Sequence, residues 1–129
     1  MVYLSDPIGD LLTRMRNAQH ARRPECQAPW SKINQHLCEL LKKQGWIEEV
    51  EVIGEVPKQE ILVTFSKEKP ALTLERKSKP GRRLYVGFTE LKPVLQGFGM
   101  AVLTTSEGLL TDRQARKRKI GGELLCTIS

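Results

Sequence analysis

MAVLTTSEGLLTDRQARKRKIGGELLCTI, residues 100–128, carries strand, turn and helix signals in close succession. Met100 to Leu103 is an uninterrupted apolar run of the length of a buried strand. Thr104-Thr105-Ser106-Glu107-Gly108 then reads as a hydroxyl-rich loop. Thr111 and Gln114 have the spacing of a capping box, which predicts a short helix through Arg113, Arg116 and Lys117. Gly121-Gly122 is expected to end that helix. Leu124, Cys126 and Ile128 alternate with other residues and predict a last strand. The end of the chain is therefore read as mostly β, with one short helix.

Upstream the same pattern continues. Leu84 to Val86 reads as a strand, and Leu72 with Leu74 as another. Between them Ser78-Lys79-Pro80-Gly81 reads as a turn, with Gly81 able to take positive φ after the proline. Leu91, Val94 and Leu95 suggest one helical turn. Lys67-Glu68-Lys69-Pro70 is a charged stretch ending in a breaker, and we place a domain boundary there.

Before that boundary the periodicity changes. Ser5-Asp6-Pro7 looks like a helix start, because Ser or Asp can cap and Pro fits the first turn. Ile8, Leu11, Leu12 and Met15 then form one helical face, fading near His20, with Arg14 and Arg16 off it. Pro24 to Pro29 suits a short strand. Ser31 can cap a second helix carrying Ile33, Leu37, Leu40 and Leu41, which Gly45 would stop. Trp46 to Ile53 and Glu60 to Ser66 read as strands around a turn at Gly54 to Lys58. The expected fold is α+β in two small domains. Residues 1–66 form a helix-strand-helix-strand-strand unit, and residues 67–129 form a mostly β unit with a short helix.

Charge separates the halves. The chain is 129 residues long with a formal net charge of +6. Residues 1–66 hold 8 Lys/Arg against 9 Asp/Glu, and residues 67–129 hold 13 against 6. An acidic surface repels phosphate, so the main polyanion face is expected after residue 66. Within it, Arg113 to Lys119 places five cations in seven residues, next to the hydroxyl loop and the paired glycines. A second basic turn runs from Arg76 to Arg83. Hydroxyls can meet base edges, the ribose 2′-OH and phosphates, and glycines let backbone come close to a ligand.

Other chemistries find little support. His20, Cys26, His36 and Cys38 match no zinc spacing, so no metal is expected. The three cysteines (Cys26, Cys38, Cys126) read as small core residues in a reducing compartment. Ser106 lacks a nucleophile-elbow pattern, and Gly97-x-Gly99 precedes its strand where a dinucleotide fingerprint would follow one. No enzyme activity, cofactor or small-molecule substrate is expected. No apolar run approaches the ~18 residues of a membrane span, and no secretory signal is apparent.

These residues carry a resemblance. The runs Gly97 to Arg113, Ala115-Arg116 and Gly121-Gly122-Glu123-Leu124 closely resemble the family of bacterial small-subunit ribosomal protein S-eight. Asp6 to Ala18 looks like that family's opening helix and Pro29-Trp30-Ser31-Lys32 like its second helix start. Ser78-Lys79-Pro80-Gly81 with Tyr85 looks like its central turn. The resemblance implies two α+β domains, binding to the central domain of small-subunit ribosomal RNA and a part in platform assembly. It implies the fifth and twelfth small-subunit proteins as neighbours, a cytoplasmic ribosome, and in many members repression of their own message. An organelle ribosome stays open.

The RNA-contacting set it suggests is Thr104, Thr105, Ser106, Gly108, Arg113, Arg116, Lys117, Gly121, Gly122 and Glu123. To these it adds Ser31, Lys32, Ser78, Lys79, Pro80, Tyr85, Asp6, Pro7 and Arg14. We expect Thr105 and Ser106 to carry specificity, and Arg113 and Arg116 to supply general attraction. The competing reading is that the hydroxyls only cap the turn. The competing function is a helix-turn-helix DNA-binding regulator, against which stands the long, Pro-containing segment between the first two helices.

Overall fold

The computed structural model describes residues 6–67, 72–93 and 99–129. Ser5, the boundary residues Glu68 to Pro70, the turn residues Val94 and Leu95, and Gly97 lie outside them. The chain divides into two units, Pro7–Leu72 and Thr73–Ser129, the latter including Asp6.

In the first unit, α1 (Pro7–His20) begins on its proline, where the missing N–H leaves no intrahelical bond unmade. Ile8, Leu11, Leu12, Met15 and Ala18 are its buried face. β1 (Glu25–Pro29) follows, and then α2 (Lys32–Lys43). Ser31 caps α2, its hydroxyl accepting the Asn34 N–H at 3.2 Å. The helix stops at Gly45, whose φ of +84° suits glycine. β2 (Ile47–Ile53) and β3 (Glu60–Phe65) complete an antiparallel sheet of order β1-β3-β2. Ile61, Val63, Phe65, Cys26 and Ala28 form its buried side. A strand therefore stands between the two helices, where a helix-turn-helix requires a tight turn, and the DNA-regulator reading loses its motif.

The second unit holds β4 (Leu74–Arg76), β5 (Tyr85–Val86), a 3-10 turn at Phe88–Glu90, β6 (Met100–Thr105), β7 (Gly108–Thr111), α3 (Asp112–Arg118) and β8 (Gly122–Ile128). The sheet runs β4-β8-β6-β7, with β5 also paired to β8. Thr111 and Gln114 make the expected capping box, with reciprocal bonds of 3.1 Å.

Five local features differ from, or add to, what the sequence suggests. Thr104 and Thr105 belong to β6 and not to a loop, leaving only Ser106-Glu107 as a tight hairpin turn. β7 was not foreseen, because its short Leu109-Leu110 core does not alternate. Gly81 is not at positive φ, and Lys79 and Arg82 close the turn by two backbone bonds, at 2.9 and 3.0 Å. α3 ends at Lys119, which takes the left-handed conformation itself at φ +58°, two residues before the glycines. The alternation of β8 breaks at Leu125. Leu103 pairs with Leu124 while Val102 pairs with Cys126, so Leu125 is an extra residue, and a bulge of this kind turns the following side chains over. Leu125 and Glu123 are thereby buried, while Leu124 is half-buried.

Candidate nucleic-acid interface

One end of the second unit's sheet gathers most of the suggested residues. Register places Tyr85 beside Glu123, and Glu123 beside Thr104, across β5, β8 and β6. Val86 pairs with Gly122, and Thr105 with Gly108. The glycines are there for packing. A Cβ on Gly122 would collide with the Thr104 carbonyl oxygen and lie 3.0 Å from Thr105 Cγ2; one on Gly121 would lie 2.9 Å from Gly87 Cα. The close approach made by Gly121-Gly122 is thus to the neighbouring strands.

The hydroxyls divide between two roles. The Thr105 hydroxyl donates to the Gly108 carbonyl at 2.9 Å and accepts the Glu107 N–H at 3.1 Å. It closes the hairpin turn, as the competing reading had it. Ser106 is exposed, and its hydroxyl has no partner among the described residues. The sequence gives both residues the same chemistry; position in the hairpin separates them.

Ser78 and Glu123 lie inside the unit. Ser78 is fully buried, donates to the Glu123 carboxylate and accepts the Leu84 N–H at 3.0 Å. Arg83 donates to the same carboxylate oxygen at 2.9 Å. Burial pushes the Glu123 pKa upward, but the bonds from Ser78 and Arg83 outweigh it and the net shift is downward. The nearby Arg76 guanidinium acts in the same direction. This network fastens the Lys79–Arg82 turn and Tyr85 to the strand that carries Gly122. A carboxyl with a depressed folded-state pKa contributes stability at pH above its unfolded value, near 4.5, and loses that contribution as pH falls through the folded value. The stability gap between the native chain and Glu123→Gln is therefore expected to shrink as pH drops below about 4.5. Thermal unfolding at stepped pH measures it, and a gap that widens on acidification would contradict the assignment.

The cations sort in the same way. The Arg76 side chain is only 9% exposed and pairs with Asp6 at 2.9 Å, while its Nε and Nη1 have no hydrogen-bond partner among the described residues. Arg116 pairs with Asp112 at 2.9 Å, and Asp112 in turn accepts the Ala101 N–H at 3.3 Å. Arg118 pairs with Glu107 at 2.8 Å. Arg116 therefore braces the start of α3, in addition to any attraction it offers a polyanion. Among the described residues of the second unit, Arg113, Lys117, Lys119, Lys79, Arg82 and Lys92 are exposed cations without an ion-pair partner, with Pro80 in the turn between Lys79 and Arg82. Tyr85 is 69% exposed and Phe88 37%. Phe88 escaped the sequence reading, and the available signal was an aromatic set close behind the Arg82-Arg83 pair. Exposed aromatics beside cations suit base stacking.

Pro7, Arg14, Ser31 and Lys32 belong to the first unit. Arg14 is engaged with Asp10 at 3.0 Å and with the Gln27 carbonyl at 3.3 Å. The Pro7 carbonyl accepts Asn34 Nδ2 at 3.0 Å. Lys32 is the exposed first residue of α2. Burial pushes the Cys26 thiol up to about 11 and those of Cys38 and Cys126 to about 12. At those values they are poor nucleophiles and ligands. Among the described residues no cluster of His, Cys, Asp or Glu could hold a metal. No described helix is long and apolar enough to cross a membrane.

A two-unit α+β chain with a cation-rimmed, aromatic sheet end defines the class of small basic binding proteins. The comparisons then give the family. The model described as Ribosomal protein S8 matches residues 6–129, and the chain belongs to that family, whose members are structural and non-enzymatic. Three curated relatives share the name small ribosomal subunit protein uS8. That of Nitratidesulfovibrio vulgaris is 48% identical over 126 residues, covering 97% of this chain and 98% of the relative. That of Persephonella marina is 45% identical, with coverage of 97% and 98%. That of Chromobacterium violaceum is 43% identical, with coverage of 98% of both chains.

Proposed function

We propose that this chain is a structural protein of the small ribosomal subunit that binds the central domain of small-subunit ribosomal RNA through its second unit. The observation that carries the reading is the sheet end where pairing aligns Tyr85, Glu123 and Thr104 next to Gly122, Thr105 and Ser106, with Lys79, Arg82 and Lys117 exposed on the same unit. The open cations attract the backbone, the aromatics offer stacking faces, and the Ser106 hydroxyl is free for a base or ribose. Within this reading the chain helps to assemble the platform, lies beside the fifth and twelfth small-subunit proteins, and works in a cytoplasmic ribosome; membership of the family supports the ribosomal part of it. Repression of its own message would use the same face on a mimic of the ribosomal site. The proposed division of labour gives residues 67–129 the RNA-binding role.

The test compares an RNA helix with an irregular internal loop against a random duplex, over a salt series. Log K should fall with log salt by roughly 0.7–0.9 per phosphate contact, and the structured RNA should bind much more tightly. Equal affinities would sink the reading. Two variants refine it. Ser106→Ala is expected to weaken the structured RNA about tenfold, with thermal stability and random-duplex binding unchanged. Thr105→Val is expected to lower stability by about 1 kcal/mol, because the turn loses two bonds. The reverse pattern would show that Ser106 reads nothing.

A further inference from the structure

The tip of the β6–β7 hairpin carries a carboxylate on a face that otherwise attracts anions. Its backbone is held by Thr105, whose hydroxyl accepts the Glu107 N–H at 3.1 Å. Its side chain is held by Arg118, the last residue of α3, at 2.8 Å from Glu107 Oε2. Both side chains are about half exposed, at 52% for Arg118 and 50% for Glu107. The pair is therefore reachable by a ligand, and Oε1 is not used by this bond.

We infer that Glu107, held by Arg118, is a specificity-determining residue that keeps phosphate off the hairpin tip and admits a nucleobase amine or ribose hydroxyl. The inference rests on the RNA-binding reading above. A carboxylate only accepts hydrogen bonds, and so do phosphate oxygens. A backbone laid across the tip brings two anions together. Arg118 would serve a phosphate well, but only by leaving Glu107 unpaired beside the polyanion. The pair as it stands is neutral, so the tip adds nothing to general attraction. An exocyclic amine, a ring N–H or a 2′-OH can instead donate to Oε1 while Arg118 stays in place; carboxylate acceptance from such base donors is an established mode of readout. Selection thus works by withholding one cation from the wrong ligand.

The experiment uses the full chain, the internal-loop RNA and a random duplex of equal length, across salt. In Glu107→Gln, Arg118 is released. The random duplex should bind about fivefold tighter, and its log K against log salt should steepen by roughly 0.7–0.9, the mark of one more phosphate contact. The structured RNA should change little, because the amide oxygen still accepts. Adding Arg118→Gln to that variant should return the random-duplex slope to its native value. A Glu107→Gln chain with native random-duplex affinity and slope overturns the inference. If the native chain itself fails to prefer the structured RNA, the RNA-binding reading falls and takes this one with it. If the native chain prefers it and only the variant result is flat, this inference alone falls.

Discussion

Gly122→Ala is expected to remove high-affinity binding to the structured RNA and to lower the stability of the second unit by about 2–3 kcal/mol. The added methyl has no room. It would strike the Thr104 carbonyl oxygen and sit 3.0 Å from Thr105 Cγ2. The first obstacle is backbone in the interior of a sheet, so it cannot swing aside as a flexible side chain would. Relief requires β6 and β8 to separate where Thr104 pairs with Glu123. That movement displaces the hairpin tip with Thr105 and Ser106, and a displacement of about 1 Å is enough to spoil aimed polar contacts. Gly81→Ala is the matched control: a Cβ there meets nothing within 4 Å, and the residue is not at positive φ. Thermal unfolding and RNA titration of the two variants decide the matter. A Gly122→Ala chain as stable as Gly81→Ala would mean that the strands do not approach so closely.

Glu123→Ala is expected to cost about 3 kcal/mol, a larger loss than any exposed carboxylate should produce. Three groups depend on this side chain. The buried Ser78 hydroxyl donates to it, Arg83 pairs with it, and the largely covered Arg76 charge, otherwise matched by Asp6, lies close enough to lower its pKa. Removing the carboxylate leaves Ser78 without its acceptor and Arg76 with less compensation. Glu123→Gln keeps an acceptor for Ser78 and should lose about half as much. Tyr85 and the Lys79–Arg82 turn are tethered through this network, so RNA binding should fall in Glu123→Ala even where the chain is folded. The measurement is a denaturant titration of both variants. Equal stabilities for Glu123→Ala and the native chain would show that Ser78, Arg83 and Arg76 do not depend on this carboxylate.

Several site residues were legible in the sequence because their chemistry is local. Thr111 and Gln114 announce a capping box by spacing, and Ser31 announces a helix start. The cations of α3 form an unmistakable run. What the run could not reveal is that Arg116 belongs to Asp112 and Arg118 to Glu107, so that Arg113, Lys117 and Lys119 are the open ones. The basic turn before Tyr85 behaves alike: Arg76 and Arg83 are consumed by Asp6 and Glu123.

The α+β class, the two helices of the first unit, the capped third helix and the sign of charge in each half are legible from the residues alone. Those follow from residues close together in the chain, through 3.6-residue periodicity, caps and breakers. Strand pairing in three dimensions is what makes Thr105 close the turn while the Ser106 hydroxyl has no partner among the described residues, makes Gly121 and Gly122 leave room for neighbouring strands, and lets the bulge at Leu125 turn Glu123 inward. Each depends on which strand lies beside which and in what register. Strand register is set by pairing between distant segments, and a one-residue shift there reverses which side chains are buried and which face a ligand.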